Sequence, residues 1–210
     1  MKRLPLIVGL LALIFVWGGP IRWIAGHSFT AHMIMHMGVV AIAAPLIAVA
    51  VSGSRFDPSA RLPFVFAPLP ASLWELVVVW GWHAPVLHAF ARGSAGGLLL
   101  EQGSFFIVGL ILWIACIGTW RGAAGIFGLL FTSMHMTLLG ALLALSPRPL
   151  YEAAAHGEHA LGMSALDDQN MGGVVMLGVG GAIYLLGGLI LMARLLNESQ
   201  APSSSLPGRR

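Results

Sequence analysis

Two histidines and three methionines lie together in one short apolar segment. His32 and His36 are four residues apart, with Met33, Met35 and Met37 beside them. In a helix this spacing places both imidazoles on one face. Imidazole and thioether groups are ligands suited to copper, especially Cu(I). The pattern predicts a metal site; the alternative is that the methionines only fill packing gaps and the histidines bond to nearby backbone.

Three further residues extend this candidate site. His83 precedes Pro85 near the end of another apolar segment, and His135 lies between two methionines in a later one. Asp168 begins the last apolar segment, where a carboxylate can cap the helix, orient a histidine or bind a metal directly. The predicted metal ligands are therefore His32, His36, Met37, His83, His135 and Asp168.

Other polar residues receive different assignments. His88 is predicted to lie at the membrane interface. Glu101 is predicted to pair with Arg92 or to support an imidazole. The segment His156-Gly157-Glu158-His159 is typical of a solvated loop that captures metal only loosely.

The composition is that of a membrane protein. Of the 210 residues, 58% are hydrophobic and 9% are charged, with a mean hydropathy of +0.87. Soluble domains carry about 25% charged residues. Cys116 is the single cysteine, which excludes a disulfide within the chain. The basic residues are scattered singly, so nucleic acid is not a predicted partner.

The sequence lacks the motifs of common enzyme classes. It contains no Gly-rich phosphate loop, no nucleophile motif and no His-Glu-x-x-His pattern. We therefore expect a protein that is not an enzyme.

Apolar stretches of about 20 residues predict transmembrane helices. Six occur, at about 4–19, 29–52, 71–91, 96–119, 123–146 and 171–196. Eight basic residues in the predicted inner segments against three in the outer ones place both termini in the cytoplasm. The predicted fold is an all-α, polytopic membrane helix bundle, with one transmembrane domain over 1–197 and a disordered tail over 198–210.

The predicted topology assigns each of these histidines a side or depth in the membrane. It places His32, His36 and His83 toward the outer side, which in a bacterium is the periplasm, and His135 near the middle of the membrane. His32 and His36 therefore face the compartment from which copper would arrive, alongside His83.

The chain resembles the caa3-type CtaG family of cytochrome c oxidase assembly factors. The resemblance runs from about His27 to Leu196 and rests on five short motifs in order. They are His32-x3-His36-Met37, Trp82-His83-x-Pro85, Glu101-x2-Ser104-Phe105 followed by Trp113, Ser146-x2-Pro149-Leu150-Tyr151, and Asp168-Gln169-x2-Gly172-Gly173. The polar positions that match are His32, His36, His83 and Asp168, whereas His135 fits by location only.

Two positions depart from the family pattern. Gln102 follows Glu101 where family members often carry a histidine, so the number of ligands that complete the site stays open. His88 stands where an aromatic residue is usual, and it either compensates for Gln102 or is incidental.

The resemblance implies a multi-pass protein of the bacterial inner membrane that matures a haem-copper terminal oxidase by delivering or inserting copper. The implied partners are oxidase subunits and the lipid bilayer, with a periplasmic copper carrier as a source of Cu(I). Two alternatives remain: a b-type haem protein with His36 and His135 as axial ligands, and a copper transporter.

Overall fold

The computed structural model describes residues 2–118, 122–151 and 162–200. Within these ranges the chain is helical and has no strand, which confirms the predicted all-α class. The helices are α1 (Arg3–Gly18), α2 (Ile21–Ala25), α3 (Phe29–Met37), α4 (Ala44–Val51), α5 (Pro68–Trp82), α6 (Pro85–Gly93), α7 (Ala95–Ile117), α8 (Gly122–Ala144), α9 (Ala165–Val175) and α10 (Gly181–Gln200). His156 and His159, and the tail from residue 201 onward, lie outside the described residues.

Two π-helical segments make longer continuous helices out of these elements. Gly38–Ala43 joins α3 to α4, and Met176–Gly180 joins α9 to α10. The last helix therefore continues to Gln200, three residues beyond the predicted boundary of the transmembrane domain.

Four helical stretches of the described chain are long and apolar enough to cross a membrane. They are Phe29–Val51, Ala95–Ile117, Gly122–Ala144 and Ala165–Gln200. Two other predicted spans are shorter, since α1 has 16 residues and α5 has 15. At about 1.5 Å per residue, each is shorter than a hydrocarbon core of about 30 Å. The chain is a multi-pass membrane bundle, whereas the count of six spans and the cytoplasmic termini stay predictions.

The third predicted span is divided in two. Helix α5 ends at Trp82, and α6 begins at Pro85 after an extended Ala84. Proline has no N–H to continue the hydrogen-bond ladder, and it disfavours helical backbone at the residue before it. The break places His83 at the end of one helix and His88 within the next.

Polar groups lie inside the bundle, and large apolar side chains cover its outside. Leu99, Phe127 and Met134 are among the most exposed side chains, whereas Glu75 and Glu101 are completely buried. This distribution suits lipid, where a charged side chain faces the interior of the bundle.

The π-helical segment before Pro45 leaves one carbonyl free for side chains. The N–H of Ala44 donates to Val39 O, and Pro45 has no N–H to offer Val40. The Val40 carbonyl instead accepts from Trp113 Nε1 at 3.0 Å. Tyr184 Oη also lies 3.3 Å from this carbonyl.

This carbonyl belongs to a buried network below the predicted metal site. Tyr184 Oη lies 2.6 Å from Glu75 Oε1, so the hydroxyl connects a carboxyl group on α5 with the backbone before α4. Because hydrogen bonds are stronger in a buried, low-dielectric interior, these bonds fix how α5, α10 and the π-helical segment pack.

The beginning of α3 is connected to the beginning of α9. Asp168 accepts hydrogen bonds from Ser28 Oγ at 2.8 Å and from the N–H groups of Phe29 at 2.6 Å and Thr30 at 3.0 Å. The first N–H groups of a helix have no partner within it, and a carboxylate also complements the helix dipole. Asp168, which lies in α9, therefore caps the start of α3. The capped position, Ser28, lies four residues before His32.

We expect Asp168→Asn to lower the free energy of unfolding by about 1–3 kcal/mol, because the amide loses the charge and one acceptor oxygen. Equilibrium denaturation in detergent micelles measures the change. Asp167→Asn is the matched control, since Asp167 is exposed and, among the described residues, its hydrogen bonds are with the nearby Ser164. It should cost about 0.5 kcal/mol. Equal losses for the two variants would contradict the capping role.

Candidate metal centre

Three buried side chains from three helices converge near the α6 end of the bundle, which the predicted topology makes its outer end. His32 on α3, His88 on α6 and Glu101 on α7 each offer one ligand atom, and these atoms lie within 4.8 Å of one another. The ring centroids of His32 and His88 are 5.2 Å apart. We call these three residues the upper layer. Its donor set, two imidazoles and a carboxylate, is one that binds metal ions.

The ligand atoms of the upper layer lack ordinary partners. Within the described part of the chain, neither ring nitrogen of His32, nor His88 Nδ1, nor Glu101 Oε1 has a hydrogen bond. His32 Nε2 lies 3.5 Å from Glu101 Oε1, longer than a normal hydrogen bond. Buried polar atoms without partners cost free energy. A metal ion between them would satisfy several at once.

The other oxygen of Glu101 is already engaged. Its Oε2 accepts a hydrogen bond from Arg92 and another from Gln102 Nε2 at 3.2 Å. Of the two alternatives predicted for Glu101, the pair with Arg92 is present, whereas the imidazole of His32 stays beyond normal hydrogen-bond distance. Because Glu101 is fully buried, Arg92 is the charge that balances it.

A second group lies one helical turn deeper. His36 and Phe105 follow His32 and Glu101 by four residues, which corresponds to about 6 Å along each helix. His36 faces His83, with ring centroids 5.6 Å apart, and Phe105, with centroids 4.0 Å apart. We call His36, His83 and Phe105 the lower layer.

The upper layer borders a small cavity at the outer end. The cavity has a volume of about 30 Å³, and its lining includes His27, His32, His88, Arg92 and Tyr151. A water molecule needs at least about 10–15 Å³ by this measure, so the cavity has room for a water molecule or a bare ion beside the upper layer. His27 is exposed at this end of the bundle.

Tyr151 holds one wall of this cavity. Its hydroxyl donates to the His83 carbonyl at 3.0 Å, and its ring stacks on Phe29 with centroids 4.6 Å apart. The same ring lies 4.3 Å from the His88 ring. Burial raises the pKa of the Tyr151 phenol, so the hydroxyl stays protonated and keeps donating.

The other three predicted ligands have their main contacts elsewhere. Both carboxylate oxygens of Asp168 accept hydrogen bonds at the start of α3. The Met37 sulfur packs at Gly180, 3.3 Å from the position that a Cβ would take there. His135 packs its ring against Phe131, with centroids 5.6 Å apart. Metal binding by these three residues stays a prediction.

His88 lies in a place that its sequence context did not predict. We expected His88 at the membrane interface, but it is only 6% exposed and belongs to the upper layer. The available signal was the departure from the family pattern, in which Gln102 replaces a histidine and His88 replaces an aromatic residue. His88 thus supplies an imidazole beside Glu101, while Gln102 bonds to that carboxylate.

Comparison with known proteins identifies the family to which the chain belongs. The sequence model of the cytochrome c oxidase caa3 assembly factor (Caa3_CtaG) matches residues 3–198, nearly the whole chain. Comparisons with curated proteins and with solved structures gave no match. The matched range includes both layers and every helix from α1 to nearly the end of α10. The chain therefore belongs to the Caa3_CtaG family of cytochrome c oxidase assembly factors.

Proposed function

We propose that this assembly factor accepts Cu(I) at the upper layer and passes it to a cytochrome c oxidase subunit while the oxidase is built. The observation that carries the proposal is the group formed by His32, His88 and Glu101, whose ligand atoms lie within 4.8 Å of one another in the buried interior. The transfer is a ligand exchange, so the protein catalyses no reaction. A copper carrier would load it from the periplasm, with the chain resident in the bacterial inner membrane.

The charges of the upper layer favour a monovalent ion. Glu101 contributes one negative charge, and Arg92 already balances it. Neutral imidazoles bind a metal without adding charge. Cu(I) therefore brings one unbalanced positive charge into a low-dielectric site, whereas Zn²⁺ or Cu(II) brings two, at a greater electrostatic cost.

The same ion pair gives the site a means of release. A cation at Glu101 Oε1 and the Arg92 guanidinium at Oε2 share the charge of one carboxylate and repel each other, so the metal is held less tightly than its ligands alone would allow. When the metal leaves, the Arg92–Glu101 ion pair remains and the buried charges are balanced again. A delivery protein needs this balance, since a site that binds too strongly cannot pass its metal on.

We expect the double substitution His32→Ala/His88→Ala to weaken Cu(I) binding at least about 100-fold, because it removes both imidazoles of the upper layer. Competition titration of the purified protein measures the affinity, and the copper content of the oxidase in the same membranes measures delivery. His27→Ala is the control, since His27 is exposed at the cavity but is not in the upper layer. A double variant that binds Cu(I) with the affinity and stoichiometry of the wild type and matures the oxidase normally would refute the proposal.

We expect Arg92→Gln to bind Cu(I) about 10–100-fold more tightly, because the repelling cation is gone while the amide still donates to Glu101; this corresponds to about 1.4–2.8 kcal/mol. Arg92→Lys keeps the charge and serves as its matched control, with an affinity close to that of the wild type. Metal competition followed by oxidase maturation would show tighter binding with poorer delivery. Unchanged or weaker binding by folded Arg92→Gln would contradict the repulsion.

A further inference from the structure

We propose that the lower layer is a second metal site, in which the imidazoles of His36 and His83 bind one soft monovalent cation such as Cu(I). The site lies one helical turn below the upper layer. The inference rests on the proposed function for the identity of the metal, whereas the lower layer's own geometry carries the existence of the site.

Hydrogen bonding prepares His83 to bind a metal. Its Nδ1 lies 2.7 Å from the Val79 carbonyl. A carbonyl oxygen only accepts hydrogen bonds, so the ring proton is on Nδ1 and Nε2 of the neutral ring keeps its lone pair. Metal-binding histidines commonly donate their other ring N–H to a carbonyl in this way. Within the described residues Nε2 is buried and has no hydrogen-bond partner.

His36 supplies the opposing imidazole. It is completely buried, and among the described residues neither of its ring nitrogens has a hydrogen-bond partner. A neutral imidazole always has one nitrogen with a free lone pair. Bonds from a metal to imidazole nitrogen are about 2 Å long. The His36 and His83 ring centroids are 5.6 Å apart, so the two rings lie close enough for one ion to bind a nitrogen of each.

The ligands and charge of the lower layer determine which kind of ion it favours. Along α7, the carboxylate of Glu101 in the upper layer is replaced one turn deeper by the phenyl ring of Phe105. The lower layer thus offers two neutral ligands and an aromatic wall, with no negative charge of its own. A divalent ion would carry two unbalanced charges there, and Zn²⁺ also prefers four ligands. Cu(I) carries one charge and suits a few neutral ligands.

Counting bound ions in full-length protein tests the second site. In detergent micelles without oxygen, we expect the wild type to bind two Cu(I) ions per chain. His36→Gln and His83→Gln should each bind one, and His88→Gln should keep the lower ion only. His27→Gln is the matched control and should keep both. Zn²⁺ should occupy no more than the upper layer, so the wild type should bind at most one.

X-ray absorption on His88→Gln with one equivalent of Cu(I) provides a test that does not depend on substituting the lower layer. We expect the scattering pattern of two imidazole rings around the copper. A spectrum without two imidazoles, or Zn²⁺ filling two sites in the wild type, would overturn the inference.

The outcomes separate this inference from the proposed function. Loss of an ion from His88→Gln but not from His36→Gln or His83→Gln would keep the upper site and overturn the lower one. The reverse result would remove the upper layer as the loading site and leave the lower site standing. A wild-type chain that binds no Cu(I) would overturn both.

Discussion

The cap that Asp168 provides at the start of α3 is the interaction on which the candidate metal centre depends. The cap fixes where α3 begins. His32 and His36 lie four and eight residues after Ser28, so the cap sets the position of both layers along the bundle. Since the carboxylate comes from α9, the last long helix of the bundle sets the position of His32 and His36. The cap therefore acts on the site without contacting a metal.

A second constraint acts from below. Pro45 leaves the Val40 carbonyl without its helical donor, and Trp113 and Tyr184 supply donors from α7 and α10. In lipid an unpaired carbonyl is costly, so this replacement fixes the packing of these helices against the segment that carries His36. The helix is thus restrained by polar contacts on both sides of the two layers.

Features set within one helix could be predicted from the sequence, whereas contacts between helices could not. The shared face of His32 and His36 follows from helical geometry, and the break before Pro85 follows from a missing N–H. The upper layer joins α3, α6 and α7, and no local spacing reveals that His88 reaches Glu101. Asp168 was recognised as a possible cap, but only the packing of α9 against α3 shows which helix it caps.

Because the two layers are close together, an ion bound in one layer would affect binding in the other. Two monovalent ions about 6 Å apart repel each other by about 3 kcal/mol at an effective dielectric constant of about 20. An ion entering beside His32 would loosen one already held beside His36, as successive ions displace each other in a narrow channel. An ion in the lower layer would likewise weaken binding in the upper layer, so a chain with both layers filled would release the upper ion to the oxidase more readily.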